Sequence, residues 1–127
     1  MMKIRFEDKE RVIANFMGHD VVSDVPVAMG GEDAGLNPFH LFLASIGNCA
    51  GVFMKMFYRN HNIPLDGAGL EQEFEFHENG MLKKVVVNVN PGPAFPREKQ
   101  AALLAMIRSC KVKKHLDPGI EFEYIVK

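Results

Sequence analysis

Two cysteines, Cys49 and Cys110, are the residues of this sequence that are best suited to covalent chemistry. There is no Cys-x-x-Cys motif and no histidine at zinc-finger spacing, so the sequence predicts no metal site. Two cysteines in a reducing compartment are usually free thiols, a redox pair or core residues, and only rarely a structural disulfide. On composition alone, a buried structural role is the more common interpretation of each.

Cys49 stands in the middle of a stretch, residues 37–60, that predicts one long helix. Asn37 is a good N-cap, because its side-chain oxygen can accept from unpaired N–H groups of the first turn. Pro38 suits the first helical position, where its missing N–H costs nothing. The stretch is apolar nearly all round, which predicts burial on most sides. It is too interrupted by small polar residues to predict a membrane span.

The helical spacing of this stretch places Cys49 in a largely apolar wall, because side chains three and four residues apart share a face. An apolar wall disfavours a thiolate, so a reactive Cys49 needs a cation nearby. Arg5, Arg11 and Arg59 are the candidates for that cation. The residues that share the face of Cys49 are Phe42, Ser45, Ile46, Val52, Phe53 and Met56.

Cys110 directly follows a second predicted helix, residues 96–109, and has several cations around it. Arg108 precedes it and Lys111, Lys113 and Lys114 follow it. Nearby cations favour the thiolate, whereas the C-terminal end of a helix dipole disfavours an anion. The sequence leaves the sign of the net effect open.

The remaining segments predict a single α+β domain over residues 1–127. An N-terminal β-meander comes first, and the long helix follows it. A β-hairpin then turns at Asn79-Gly80, a pair that suits the positive φ angles of a type I′ turn. After the second helix come a short helical turn and a last strand. The predicted strands are residues 2–6, 11–16, 19–23, 70–77, 82–89 and 120–126, and the helical turn is 111–116.

Composition narrows the classes of function and partner. The net charge is −1 and no basic face is visible, so we expect no nucleic-acid partner. The N-terminus is charged within its first ten residues and lacks the apolar run of a signal peptide, which predicts a cytoplasmic protein without a membrane partner. A helix this apolar needs more cover than one small sheet offers, so we expect a homodimer in which the long helices meet.

Two motifs carry a resemblance to the OsmC/Ohr family. Residues 30–57, GGEDAGLNPFHLFLASIGNCAGVFMKMF, resemble its Gly-containing loop and its Asn-Pro or Ser-Pro helix start, with a cysteine eleven residues after the proline. The segment Cys110-Lys111-Val112-Lys113-Lys114 is similar to the family's second cysteine motif at the end of a later helix. The order of elements also agrees over essentially the whole chain. Phe39 and His40 stand where different branches of the family have a glutamate.

The resemblance implies an OsmC-like fold, assembled as an intertwined homodimer with two central helices and a sheet wrapped on each side. It also implies a cysteine-based peroxidase that acts on small apolar organic hydroperoxides and needs no cofactor. Cys49 would be the peroxidatic thiolate and Cys110 the resolving thiol, and a dithiol reductant would reopen their disulfide. The apolar residues around Cys49 would bind the substrate; they are Phe39, Phe42, Ile46, Phe53 and Met56.

Two other functions fit the same residues. The first is a non-enzymatic dimer that binds an apolar small molecule around Phe42, Phe53 and Met56, with incidental cysteines. The second is a thiol redox sensor or sulfur carrier, in which the cysteine pair cycles slowly without turnover.

Overall fold

The chain has the predicted α+β architecture, and the computed structural model describes residues 1–116 and 118–127. It forms two compact units, Met1–Ala44 and Ser45–Lys127. Helix α1, Pro38–Asn60, begins in the first unit and continues into the second. The order of meander, long helix, hairpin, second helix and last strand is confirmed. The single domain over residues 1–127 stays a prediction.

The first unit contains a three-stranded antiparallel meander in the order β1-β2-β3. These strands are Lys3–Phe6, Val12–Phe16 and His19–Ser23, within one residue of their predicted bounds. The link between β2 and β3 is a two-residue turn, Met17-Gly18, in which both φ angles are positive at 51° and 82°. Positive φ at both central positions is the hallmark of a type I′ hairpin.

The loop between β3 and α1 is held by the carboxylate of Asp24, which is only 2% exposed. Its oxygens accept hydrogen bonds from the N–H groups of Val25 at 2.8 Å, Glu32 at 3.1 Å and Ala34 at 3.1 Å. These bonds hold the pKa of Asp24 below its ordinary value, with the Ala34 N–H as the main cause. The carboxylate thus gives the loop a fixed shape on its way to α1.

The start of α1 is capped as predicted. The backbone N–H of His40 donates to Oδ1 of Asn37 at 2.8 Å, and Pro38 is the first helical residue. Asn37 therefore satisfies one of the first-turn N–H groups that an uncapped helix would leave unpaired.

The second unit holds the rest of α1, a mixed sheet and two further helices. The sheet has the order β4-β5-β6, with β5 antiparallel to β4 and parallel to β6. The predicted helix 96–109 is instead a 3₁₀ turn, Arg97–Lys99, that leads into a shorter α-helix. The elements are β4 Gly69–Phe76, β5 Leu82–Asn90, α2 Gln100–Arg108, α3 Lys111–Leu116 and β6 Glu121–Val126.

The hairpin between β4 and β5 forms, but the predicted type I′ turn at Asn79-Gly80 is wrong. Gly80 has a φ of 83°, whereas Asn79 is not in the left-handed region. The N–H of Gly80 donates to the His77 carbonyl at 2.9 Å, and Oδ1 of Asn79 accepts from the Met81 N–H at 3.0 Å. The Asn79 side chain thus closes the turn locally, without a positive φ of its own.

Within the second unit, α1 packs on the sheet through one side. Gly47 and Gly51 bring its backbone close to β4, because a side chain at Gly47 would overlap the amide of Gln72. Lower on the helix, the Tyr58 hydroxyl donates to the Pro91 carbonyl at 2.6 Å, and burial raises the pKa of Tyr58 to about 12.

The opposite side of α1 is open in the single chain. Val52 is 59% exposed, so the predicted burial on most sides is met on one side only. By length and composition α1 could cross a membrane, with a mean hydropathy of 1.4, although helices in the cores of soluble proteins pass the same test. The absence of a membrane partner and the cytoplasmic location stay predictions.

We expect Asp24→Ala to lower the melting temperature by roughly 5–10 °C, because three backbone N–H groups lose the buried carboxylate that accepts from them. The folded-state pKa is lowered, so the stability that Asp24 supplies is present above its unfolded-state pKa and lost as the pH falls through the folded-state value. Thermal melts of wild type and variant between pH 7 and pH 3 should therefore converge in acid. An unchanged melting temperature at pH 7 would contradict this role.

Candidate active site

The structure brings the two cysteines together. Cys49 lies in the middle of α1 and is partly exposed, whereas Cys110 lies in the short break between α2 and α3 and is only 1% exposed. Both are free thiols, and Cys49 lies close enough to Cys110 to help raise the pKa of the Cys110 thiol. A thiol of the long helix and a thiol of the last helical connection thus form one site within the second unit.

The environment of Cys110 keeps its proton in place. Burial is the main cause that raises the pKa of the Cys110 thiol, and its hydrogen bond with Cys49 raises that pKa further. The backbone N–H groups of Lys113 and Val112 act in the opposite direction, and they are outweighed. Cys110 is therefore a protonated partner that can donate its S–H to the sulfur of Cys49.

Cys110 also caps the helix that follows it. Its carbonyl accepts from the N–H of Lys114 at 3.1 Å, which is the first helical hydrogen bond of α3. Sequence analysis placed Cys110 only at the end of the preceding helix and missed this second role. A predicted helical turn at 111–116 was the available signal, because the residue before a helix start is its N-cap.

Two of the cations around Cys110 lie against aromatic rings of β6. The guanidinium of Arg108 stands 5.3 Å from the centroid of the Tyr124 ring, and the ammonium of Lys113 stands 5.6 Å from that of Phe122. Each cation therefore makes a cation–π interaction with the face of an aromatic ring. This placement fits the finding that burial, rather than neighbouring charge, decides the protonation of Cys110.

The candidate cations for Cys49 are placed as follows. Arg5 forms a two-point ion pair with Asp20, with a closest distance of 2.7 Å. Arg11 pairs with two carboxylates, those of Glu7 at 3.6 Å and Glu32 at 3.4 Å. Arg59 is ten residues further along α1, about 15 Å along the helix axis. That one of these arginines activates Cys49 stays a prediction.

The predicted substrate-binding residues all lie on α1. The rings of Phe39 and Phe42 stack with centroids 5.9 Å apart, and Phe39 is 45% exposed. Ile46 is buried at 2% exposure, whereas Phe53 and Met56 are partly exposed. The helix therefore supplies both core and accessible apolar groups along its length. That these residues bind a substrate stays a prediction.

We expect Cys49 to react with iodoacetamide at least about tenfold faster than Cys110 in the native protein at pH 7.5, because alkylation needs an accessible thiolate. Quenched time points, digested and read as alkylated peptides, would measure both rates. In denaturant the two rates should approach each other. Equal native rates would mean that the burial of Cys110 does not protect it.

Solved structures share this fold at low sequence identity. An OsmC-like protein from Mycoplasma pneumoniae matches with a TM-score of 0.78 and 10% identity, covering 100% of this chain and 94% of that one. An organic hydroperoxide resistance protein OsmC from Legionella pneumophila matches with a TM-score of 0.64 and 17% identity, covering 100% and 95%. The organic hydroperoxide resistance protein OhrB of Bacillus subtilis matches with a TM-score of 0.61 and 20% identity, covering 100% and 96%.

Sequence comparison identifies the family of this chain. No curated protein is significantly similar to this chain. The family model described as OsmC-like protein, however, matches residues 30–125, a range that contains both cysteines and most of the chain. The chain therefore belongs to the OsmC-like protein family.

Proposed function

We propose that this protein is a thiol-dependent peroxidase that reduces organic hydroperoxides through Cys49 and Cys110. The observation that carries the proposal is the proximity of two free thiols, one partly exposed and the other buried, with a pKa that burial raises. A two-cysteine peroxidase needs one thiol that attacks the peroxide and a second thiol close enough to form a disulfide with it.

In the first step, the Cys49 thiolate attacks the terminal oxygen of the hydroperoxide. The O–O bond breaks, Cys49 becomes a sulfenic acid, and the leaving alkoxide takes up a proton to give the alcohol. Cys110 lies beside Cys49 during this step and still carries its own proton.

In the second step, Cys110 resolves the sulfenic acid. Its sulfur forms a bond with the sulfur of Cys49, the S–O bond breaks, and the hydroxyl leaves as water with the proton of Cys110. Since the two thiols already interact in the reduced protein, this step needs little rearrangement. A dithiol reductant then restores both thiols and is itself oxidised to a disulfide.

An apolar hydroperoxide suits the surroundings of Cys49. Phe53 and Met56, on the same side of α1 as Cys49, are accessible apolar groups within the second unit. The names of two solved relatives, which refer to organic hydroperoxide resistance, support the same class of substrate. A redox sensor would use the same thiol pair, but it would not consume hydroperoxide in repeated turnovers.

We also propose that the protein acts as an intertwined homodimer. One face of the first unit's sheet is apolar and uncovered: Ile4 is 54% exposed, Phe6 82% and Val21 46%. Strand register places these side chains on one face, because Ile4 pairs through Ala14 with Val21. Monomeric soluble proteins rarely leave such faces open. A second copy of the chain is the occupant that the family resemblance implies.

Single cysteine variants test the proposed chemistry. Cys49→Ser should abolish the consumption of cumene hydroperoxide by reduced protein, because no other group supplies the attacking sulfur. Cys110→Ser should still consume about one equivalent and accumulate a sulfenic acid, which dimedone labels. Intact mass and peroxide assays measure both outcomes. If wild type and Cys49→Ser consumed peroxide equally, the proposed function would be wrong.

Surface variants test the dimer. Phe6→Glu and Val52→Glu should each convert a dimeric mass to a monomeric one in light scattering at micromolar concentration, because a buried unpaired carboxylate destabilises an interface. Met81→Glu is the matched control, since Met81 is also exposed, at 65%, but lies in the β4–β5 turn. A monomeric wild type would contradict the proposal.

A further inference from the structure

We infer that the reductant attacks the sulfur of Cys49, so that Cys110 is the leaving thiol when the disulfide is reopened. The inference rests on the proposed disulfide between these two residues. It goes beyond the proposed function, because it assigns a direction to the reducing half of the cycle and names the sulfur that carries the mixed disulfide.

Access to the two sulfurs is the main argument. A thiolate attacks a disulfide along the line of the S–S bond, from the far side of the sulfur that it strikes, so the rate depends on which sulfur can be reached. Cys110 is 1% exposed, whereas Cys49 is partly exposed on α1. Cys110 is buried by its own chain, and the approach of a partner chain could only bury it further. Attack on Cys110 is therefore blocked by the chain itself, which leaves Cys49 as the sulfur that a reductant can strike.

The surroundings of Cys110 act on the departing sulfur in two opposite ways, so the direction of the exchange rests on access. The backbone N–H groups of Val112 and Lys113 point at this sulfur, at the beginning of α3. Hydrogen-bond donors of this kind stabilise the negative charge that develops on a leaving thiolate. Burial outweighs these donors and raises the pKa of Cys110, so the departing sulfur takes up a proton, which restores the S–H of the reduced protein.

The exchange balances in two steps. The reductant's thiolate forms an S–S bond with Cys49, the bond between Cys49 and Cys110 breaks, and Cys110 leaves with the electron pair and takes up a proton. The second thiol of the reductant then attacks the reductant's own sulfur in the mixed disulfide, which releases Cys49 as a thiolate. Cys110 stays beside the mixed disulfide and can reverse the first step, so a monothiol should reduce the protein slowly and a dithiol rapidly.

A trapping experiment tests this direction. The disulfide is formed with diamide, which needs no peroxidase activity, and the oxidised protein is mixed with excess glutathione. Samples are quenched in acid within seconds, alkylated after unfolding and mapped by mass spectrometry. We expect glutathione on Cys49 and the alkyl group on Cys110 in at least about a tenfold excess over the reverse pattern. The same reaction in denaturant should give comparable amounts of both patterns.

The outcomes separate this inference from the proposed function. Glutathione mainly on Cys110, or equally on both cysteines in the folded protein, would overturn the inference while leaving the peroxidase reaction intact. A disulfide that forms with diamide but not with hydroperoxide would overturn only the proposed function. If diamide forms no disulfide between Cys49 and Cys110, both ideas fail.

A second measurement uses variants that cannot form the disulfide. With a chromogenic aromatic disulfide as the probe, Cys110→Ser should exchange through Cys49 at least about tenfold faster than Cys49→Ser exchanges through Cys110. Matching circular dichroism spectra would show that both variants are folded. Equal exchange rates in the two folded variants would mean that both sulfurs are equally accessible, which would contradict the inference.

Discussion

The burial of Cys110 against a partly exposed Cys49 is the constraint on which the rest of the site depends. A lone thiol in an apolar environment is inert, because charge separation there is costly. Two neighbouring thiols differ from a lone thiol, because one can stay protonated and donate a hydrogen bond to the sulfur of the other. The fold creates this asymmetry by placing one sulfur in the break between α2 and α3 and the other on the open flank of α1. The two thiols are thus distinguished by position rather than by residue type.

The packing of α1 in the second unit holds Cys49 in place. Gly47 and Gly51 allow the helix backbone to lie close to β4, and the Tyr58 hydroxyl ties the end of the helix to the Pro91 carbonyl at 2.6 Å. The ring of Tyr58 also stacks on Phe95, with centroids 5.5 Å apart. One side of the helix is therefore fixed. The other side leaves apolar groups exposed in the single chain, with Val52 at 59%.

Membership of the OsmC-like family and the thiol geometry support each other, but they come from different observations. The family follows from a match over residues 30–125. The solved structures, at 10–20% identity, show only the fold. The thiol pair is a property of this chain, whose helix start carries Phe39 and His40 where branches of the family have a glutamate. Arg5 and Arg11 are held by carboxylates of the first unit. The chemistry proposed for Cys49 therefore draws its support from the nearby thiol of Cys110.

Local signals in the sequence determined most of the fold. The Asn37-Pro38 cap and the alternation of apolar and polar residues are set by neighbours in the chain, so strands and helix starts were predicted to within a few residues. The error in the turn prediction also concerns neighbouring residues. The type I′ turn forms at Met17-Gly18 and not at Asn79-Gly80. At the second position the Asn79 side chain closes the loop.

The candidate site was only half visible in the sequence. Both cysteines could be named, and the family resemblance suggested their roles, but neither their hydrogen bond nor the burial of Cys110 could be read from residue types. The sequence left the charge state of Cys110 open, because flanking cations favour a thiolate and the helix end disfavours one. The structure turns Arg108 and Lys113 onto aromatic rings and buries the sulfur. Secondary structure depends on residues a few positions apart, so the sequence determined it. Solvation and contact between distant side chains depend on how the elements pack, so only the tertiary structure decided which thiol is accessible and which keeps its proton.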